Sequence, residues 1–189
     1  MKPTTMKFKE LKSLIGAVAV IALMASCGEK KKEAPAAEKA APVTESVATN
    51  ASKTAGIDFD TEELNAFFTR YLALQEALVA SEPAKAEEIA REMAQLSLED
   101  MPELSEAIST LAESDHLGRQ RALFFQLNKV MVPYLEAHLN SGEVYQQFCP
   151  MAFENTGAFW FSDSEEILNP YFGDAMLHCG KVEKTFGAL

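Results

Sequence analysis

Between Tyr145 and Gly180 the chain places two cysteines, two methionines, a histidine and its only tryptophan. Thiolate and thioether sulfurs are soft donors, and that donor type suits Cu(I). In Cys149-Pro150-Met151 the proline stiffens the loop, so both sulfurs can point to one side. Met176 and Cys179 stand three apart and share a face if they lie on one helical turn. Cys149, Met151, Met176 and Cys179 together offer four soft donors to one ion. His178 is next to Cys179 and would face elsewhere in a regular helix, so it ranks below these four. Zn(II) would favour Cys and His over Met. The same two cysteines allow a different chemistry. A Cys149–Cys179 disulfide would close a loop of 29 intervening residues, worth ~3–4 kcal/mol in the chain-entropy model. Met151 and Met176 would then pack against Trp160 as ordinary sulfur–aromatic contacts. From the residues alone both alternatives stay open.

The elements that must hold these sulfurs follow from the local pattern. Val144–Phe148 and Ala158–Phe161 are aromatic and strand-like, with the turn chemistry of Asn155–Gly157 between them; this reads as a hairpin with a wide loop. Asp163–Glu166 offers a helix start and Asn169–Gly173 a break. Asp174 is placed to cap a last short turn carrying Met176, His178 and Cys179.

Upstream the periodicity is helical. Asp60-Thr61-Glu62-Glu63 is a capping signal, and Leu64, Phe67, Phe68, Tyr71, Leu72, Leu78 and Val79 follow at helical spacing. Pro83 and Pro102 each follow a break and open a new helix, since proline is tolerated in a first turn. A fourth helix is expected from about Asp115 to about Asn140, kinked or shortened by Pro133. Short connections between amphipathic helices predict antiparallel neighbours. The fold expected is mainly α: an antiparallel four-helix bundle over residues 57–140, followed by a small β-hairpin and loop segment over 141–189, in one globular domain of residues 57–189.

The N-terminal region reads differently. Four lysines precede the uncharged apolar run Leu14–Met24, which is too short to span a bilayer at ~20 residues. It ends in Met24-Ala25-Ser26-Cys27. This is a signal peptide over residues 1–26 that resembles a bacterial lipobox, with Met24 where leucine is usual. The expectation is cleavage before Cys27 and lipidation of that residue. More than one acyl chain gives stable membrane anchoring. Lipidation consumes one of the three cysteines and leaves Cys149 and Cys179 as a pair in an exported protein, where disulfides persist. Residues 27–56 then form a disordered tether rich in Ala, Lys, Glu and Pro, without aromatics or leucine.

Charge excludes some functions. The chain carries a formal net charge of −11, to which residues 1–26 contribute four Lys and one Glu, so the remainder stands near −14. Nucleic-acid binding needs basic surface, so no nucleic-acid partner is expected. The three histidines, His116, His138 and His178, form no HExxH pattern and lie near no nucleophile elbow. His116 fits a helix start and His138 a helix end. Met93, Met101 and Met131 fit a core. The chain shows no glycine-rich phosphate loop. It is not expected to be an enzyme.

Several longer stretches carry a resemblance. Cys149-Pro150-Met151-Ala152, Gly157–Ser162, Ile167–Asp174 and Met176-Leu177-His178-Cys179-Gly180 are similar to a Bacteroidetes family, the domain of unknown function 3347. The similarity reaches back through Tyr71–Leu78 and Arg121–Phe124 and spans about residues 62–185. The family occurs as lipoproteins and also fused to membrane-fusion subunits of heavy-metal efflux pumps. That context implies metal or copper handling, and a place in a heavy-metal efflux system. The Cys-Pro-Met and Met-Leu-His-Cys-Gly elements also look like the short heavy-metal-binding motif of such pumps. This chain lacks that motif's histidines, with Gln146 and Gln147 preceding Phe148 and Ala152 following Met151. The function expected is a lipid-anchored protein of a Gram-negative envelope, held at the outer membrane through Cys27 and facing the periplasm or the surface. It would bind Cu(I) as buffer, chaperone or efflux accessory. The alternative is a non-enzymatic envelope interaction module locked by a Cys149–Cys179 disulfide.

Overall fold

The computed structural model describes residues 56–187. The expectations for the signal peptide, for Cys27 and for the tether up to residue 55 lie outside the described residues. The element order is strand β1 (Asp58–Phe59), helices α1 (Glu62–Val79), α2 (Pro83–Met93), α3 (Pro102–Ala112) and α4 (Leu117–His138), then strands β2 (Leu139–Ser141), β3 (Glu143–Cys149), β4 (Ala158–Ser162) and β5 (Lys181–Gly187). The described chain is mainly helical, with two small antiparallel sheets. Among the described residues no helix is long and apolar enough to cross a membrane.

The helices form where capping and periodicity agree. Thr61 caps α1, its Oγ1 accepting from the Leu64 amide at 3.2 Å. Asp60, the first residue of the expected capping signal, instead pairs with His138 Nδ1 at 2.8 Å. Pro83 and Pro102 begin α2 and α3, where a missing N–H leaves no intrahelical bond unmade. α4 runs unbroken through Pro133. The proline there removes one i→i−4 hydrogen bond, and packing of Phe124, Leu127, Met131 and Leu135 offsets the loss. Met93, Met101 and Met131 are buried in the core, as their positions suggested.

The expected hairpin is part of a larger sheet. β3 is central in the order β4-β3-β5, all antiparallel. β1 and β2 pair separately and tie the start of the described chain to the end of α4. Gly142 lies at this junction with φ +83°, and a Cβ on it would fall 2.7 Å from the Gly56 carbonyl oxygen. Neither β5 nor the β1–β2 pair was expected from the sequence.

Side chains alternate across the three-stranded sheet. Phe159 and Phe161 face the helices, where Phe161 meets Tyr71 at 6.4 Å between ring centroids and Phe159 meets Phe125 at 5.7 Å. Gln147, Cys149, Ala158 and Trp160 share the opposite face and are all fully buried. The segment Asp163–Gly180 covers them. Its Asp163–Glu166 stretch is not the expected helix start but a run of bends. Gln147 Nε2 donates to the carbonyls of Ser164 at 2.7 Å and Glu166 at 2.9 Å, which takes acceptors a helix would need.

β4 is an edge strand, and side chains satisfy its outer backbone. Phe161 N donates to Tyr71 Oη at 2.9 Å. The Phe159 carbonyl accepts from Asn128 Nδ2 at 2.9 Å and also from the Tyr171 hydroxyl. Asn128 further joins both tyrosines: its Oδ1 accepts from Tyr71 at 2.7 Å and its Nδ2 donates to Tyr171 at 3.0 Å. The edge is thereby closed to further strand pairing.

Candidate functional site

Cys149 ends β3 and Cys179 precedes β5. Their sulfurs lie 3.1 Å apart, unlinked, with Cys149 buried and Cys179 partly exposed. The fold therefore brings together the two thiols that the sequence singles out. Cys149 is fixed by the sheet, paired with Ala158. Cys179 is fixed by the covering segment. Its amide donates to the Met176 carbonyl at 3.0 Å, and its carbonyl accepts from Asn169 Nδ2 at 2.8 Å. Asn169 Oδ1 accepts from the Tyr171 amide at 2.9 Å, so this one buried amide both turns the chain and places Cys179.

The remaining predicted donors surround the pair along the chain. Met151 is 46 % exposed, the large apolar side chain most open to water among the described residues. Met176 ends a short 3-10 turn, Gly173–Met176, and is half-buried. Cys179 follows that turn rather than lying in a helix with Met176, and a single backbone bond links the two. His178 is exposed, and its Nδ1 sits 2.9 Å from the Ile167 carbonyl oxygen. With Nδ1–H donating to that carbonyl, the ring presents Nε2 outward as its free acceptor.

Among the described residues no three His, Cys, Asp or Glu side chains converge as a metal-binding group. The two thiols thus form a two-donor core, which only softer or exogenous ligands would complete. Hydrogen bonding to Cys149, then burial and the proximity of the Cys149 charge, raise the Cys179 pKa above the ordinary thiol value. Deprotonating both thiols would set two like charges side by side, a repulsion that a cation bound between the sulfurs would offset.

The backbone beside Cys149 is strained. Phe153, Glu154 and Asn155 all have positive φ, +49°, +57° and +67°. Such a left-handed run is unfavourable by roughly 1–2 kcal/mol per non-glycine residue. Packing holds it in place: the Phe153 ring lies 5.5 Å from Phe125 and 5.3 Å from Tyr171. Gly157 closes the turn at φ +83°, where a Cβ would fall 2.5 Å from the Phe148 ring. This turn, which is not right-handed helix, carries Met151 at its start.

Two aromatic residues complete the surroundings of the pair. A Cβ on Gly180 would come within 3.0 Å of Trp160 Cη2, so the only tryptophan packs directly beside the residue after Cys179. Among the described residues, Trp160 Nε1 is buried without a hydrogen-bond partner. Tyr171 joins the site to the helices through Asn128, and burial pushes its phenol far above the ordinary value, so it acts as a neutral hydrogen-bonding group. Asn169 and Tyr171 stand in the sequence as a turn, and nothing there signals their long-range partners.

No curated protein and no solved structure shows significant similarity to the chain. One family model matches, over residues 67–142. The match covers most of α1 and all of α2, α3 and α4, and ends before β3. Cys149, Met151, Met176 and Cys179 therefore lie beyond it. Over these helices the chain is similar to the family described as protein of unknown function (DUF3347).

Proposed function

We propose that the chain is a non-enzymatic, lipid-anchored protein of the bacterial envelope that takes up a soft cation, Cu(I), at Cys149 and Cys179. The observation that carries this reading is the 3.1 Å approach of the two thiols, one buried and one reachable from solvent. Two thiolates supply a soft anionic core for a monovalent ion. Met151, exposed two residues after Cys149, and Met176, three residues before Cys179, are the thioethers that complete the set. His178 Nε2 is a fifth, lower-ranked donor. Cu(I) is cargo in this account, and uptake releases the thiol protons. The helices serve as a rigid platform, read here as an antiparallel four-helix up-and-down bundle because α1, α2, α3 and α4 follow one another through short connections. Anchoring through Cys27 and membership of a heavy-metal efflux system belong to the same proposal. Its support is the lipobox-like Met24-Ala25-Ser26-Cys27 and the family context.

A second reading rests on the same pair. Sulfurs this close need little movement to form a disulfide, which would lock Asp163–Gly180 onto the sheet as an interaction surface. The exposure of Met151 favours the first reading, since a locked segment has no need of a thioether in water. Native mass spectrometry of the reduced protein with Cu(I) separates them. One bound copper per chain supports the first reading. A protein that carries no copper after reduction supports the second.

A further inference from the structure

The spacing of the thiol pair decides which soft centre it fits as it stands. Cys149 Sγ and Cys179 Sγ are 3.1 Å apart. For an atom bonded to both at ~2.3 Å, the length of a metal–thiolate bond, that separation sets the angle at the bound atom to ~85°. A tetrahedral metal opens this angle and a linear one opens it further, so either pushes the sulfurs apart. The backbone resists this. Cys149 is held in β3 by its pairing with Ala158, and Cys179 by the hydrogen bonds of its amide and carbonyl. A pyramidal centre, whose lone pair occupies one side of its valence shell, holds its bonds close to right angles. Trivalent arsenic is such a centre, and it is soft enough to prefer thiol sulfur.

Charge points the same way. Cys149 is fully buried and Cys179 partly exposed. Cu(I) on two thiolates leaves one net negative charge at the buried sulfur, which is costly away from water. Arsenous acid is uncharged, and so is its dithiol adduct. We propose that the reduced pair chelates trivalent arsenic through both sulfurs. As(OH)3 condenses with the two S–H groups: two As–O bonds break, two As–S bonds form, and each thiol proton leaves with a hydroxyl as water. Arsenic stays trivalent, so the step needs no oxidant or reductant. The third hydroxyl stays on arsenic, at the side where Cys179 meets solvent. The proposal deepens the soft-ion reading of this site: it rests on both thiols being reduced and adjacent, and not on the methionines.

The test uses the reduced full chain with Cys27→Ala, which leaves Cys149 and Cys179 as its only thiols. Sodium arsenite is added, and intact mass, thiol count and melting midpoint are read. One arsenic per chain, loss of both titratable thiols and a raised midpoint are expected, the last because the folded chain holds the thiols together. Cys179→Ser, at the partly exposed position, should weaken uptake about a hundredfold, since the second bond is no longer intramolecular. Cys149→Ser should do the same, with circular dichroism checking the fold; if it fails to fold, Cys179→Ser decides alone. Met151→Leu/Met176→Leu should leave arsenic affinity unchanged. No retained arsenic, uptake that a folded serine variant keeps, or an unraised midpoint overturns the proposal. So does an arsenic affinity that falls with the methionines. Cu(I) titration of the same protein separates the two readings. Arsenic without copper refutes the copper reading alone, and copper without arsenic refutes the arsenic adduct alone.

Discussion

Asn128 of α4 donates a 3.0 Å hydrogen bond to the Tyr171 hydroxyl, and Asn128 is closed to solvent altogether. Through this bond the helical part of the chain, which the family match covers, holds the segment that carries Cys179. Asn128→Leu keeps the size but removes both polar ends. Tyr71 then loses its acceptor and Tyr171 a donor, inside the protein. Stability should fall by about 2–4 kcal/mol, the combined effect of partners left unsatisfied. Urea unfolding followed by circular dichroism measures this. A change under ~0.5 kcal/mol would mean the network does not join the two parts.

Gly173 makes the second attachment. Its φ is +57°, and a Cβ there would lie 2.6 Å from the Val79 carbonyl oxygen and 2.8 Å from Ser81 Oγ. The Arg121 guanidinium bridges the same place, donating to the carbonyls of Pro170 at 2.8 Å and Leu78 at 3.0 Å. Gly173→Ala should cost roughly 1–3 kcal/mol in thermal unfolding, from strained φ and backbone overlap. An unchanged melting midpoint would show that the turn readily moves away from α1.

The thiol pair has a pH signature. The hydrogen bond to Cys149 is the largest cause of the raised Cys179 pKa. A raised value favours the protonated form in the folded state. The associated stability is full below the ordinary thiol value and is lost as pH rises through the raised one. At mildly alkaline pH, iodoacetamide should alkylate Cys179 more slowly than a free thiol, because the thiolate fraction sets the rate. Cys149→Ala should speed the reaction. Equal rates in wild type and variant, by mass spectrometry of the modified peptide, would contradict the coupling.

Anchoring is tested at Cys27. If the lipobox-like sequence is processed as proposed, Cys27→Ala moves the protein from the membrane fraction to the soluble one. Membrane retention of the variant would refute lipid attachment at this residue.

What the sequence made legible divides along local and long-range lines. The helices were readable because each carries its own signal: Thr61 before α1, Pro83 and Pro102 at the first turns of α2 and α3, and apolar residues at helical spacing. The meeting of Cys149 and Cys179 depends on the covering segment, which returns the chain to β3 where Lys181 pairs with Phe148. β5 was missed because in Lys181–Gly187 only Phe186 is buried. Its strand form depends on pairing with β3, whose partners lie between 33 positions away (Phe148 and Lys181) and 44 (Glu143 and Gly187). The bends at Asp163–Glu166 were misread because Gln147, distant in sequence, claims their carbonyls. The left-handed turn at Phe153 and Glu154 carries no sequence signal, since neither residue type favours positive φ.

The central claim is that two thiols and two thioethers make one Cu(I) site, and competitive titration of the reduced protein against a colorimetric Cu(I) chelator tests it most directly. Trp160, packed against Gly180 beside Cys179, supplies a second readout through its fluorescence. The account predicts uptake of one Cu(I) per chain, quenching of Trp160 in step with it, weaker uptake at lower pH as the thiols hold their protons, and reversible loss on oxidation. It also predicts that Met151→Leu/Met176→Leu, which conserves volume at under ~1.5 kcal/mol per substitution, folds normally and binds more weakly. If the reduced wild-type protein takes no Cu(I) from a weak chelator, the metal account is wrong and the disulfide-locked module replaces it. If the double methionine variant binds as tightly as wild type, the thioethers are not ligands and the site reduces to Cys149 and Cys179 with His178.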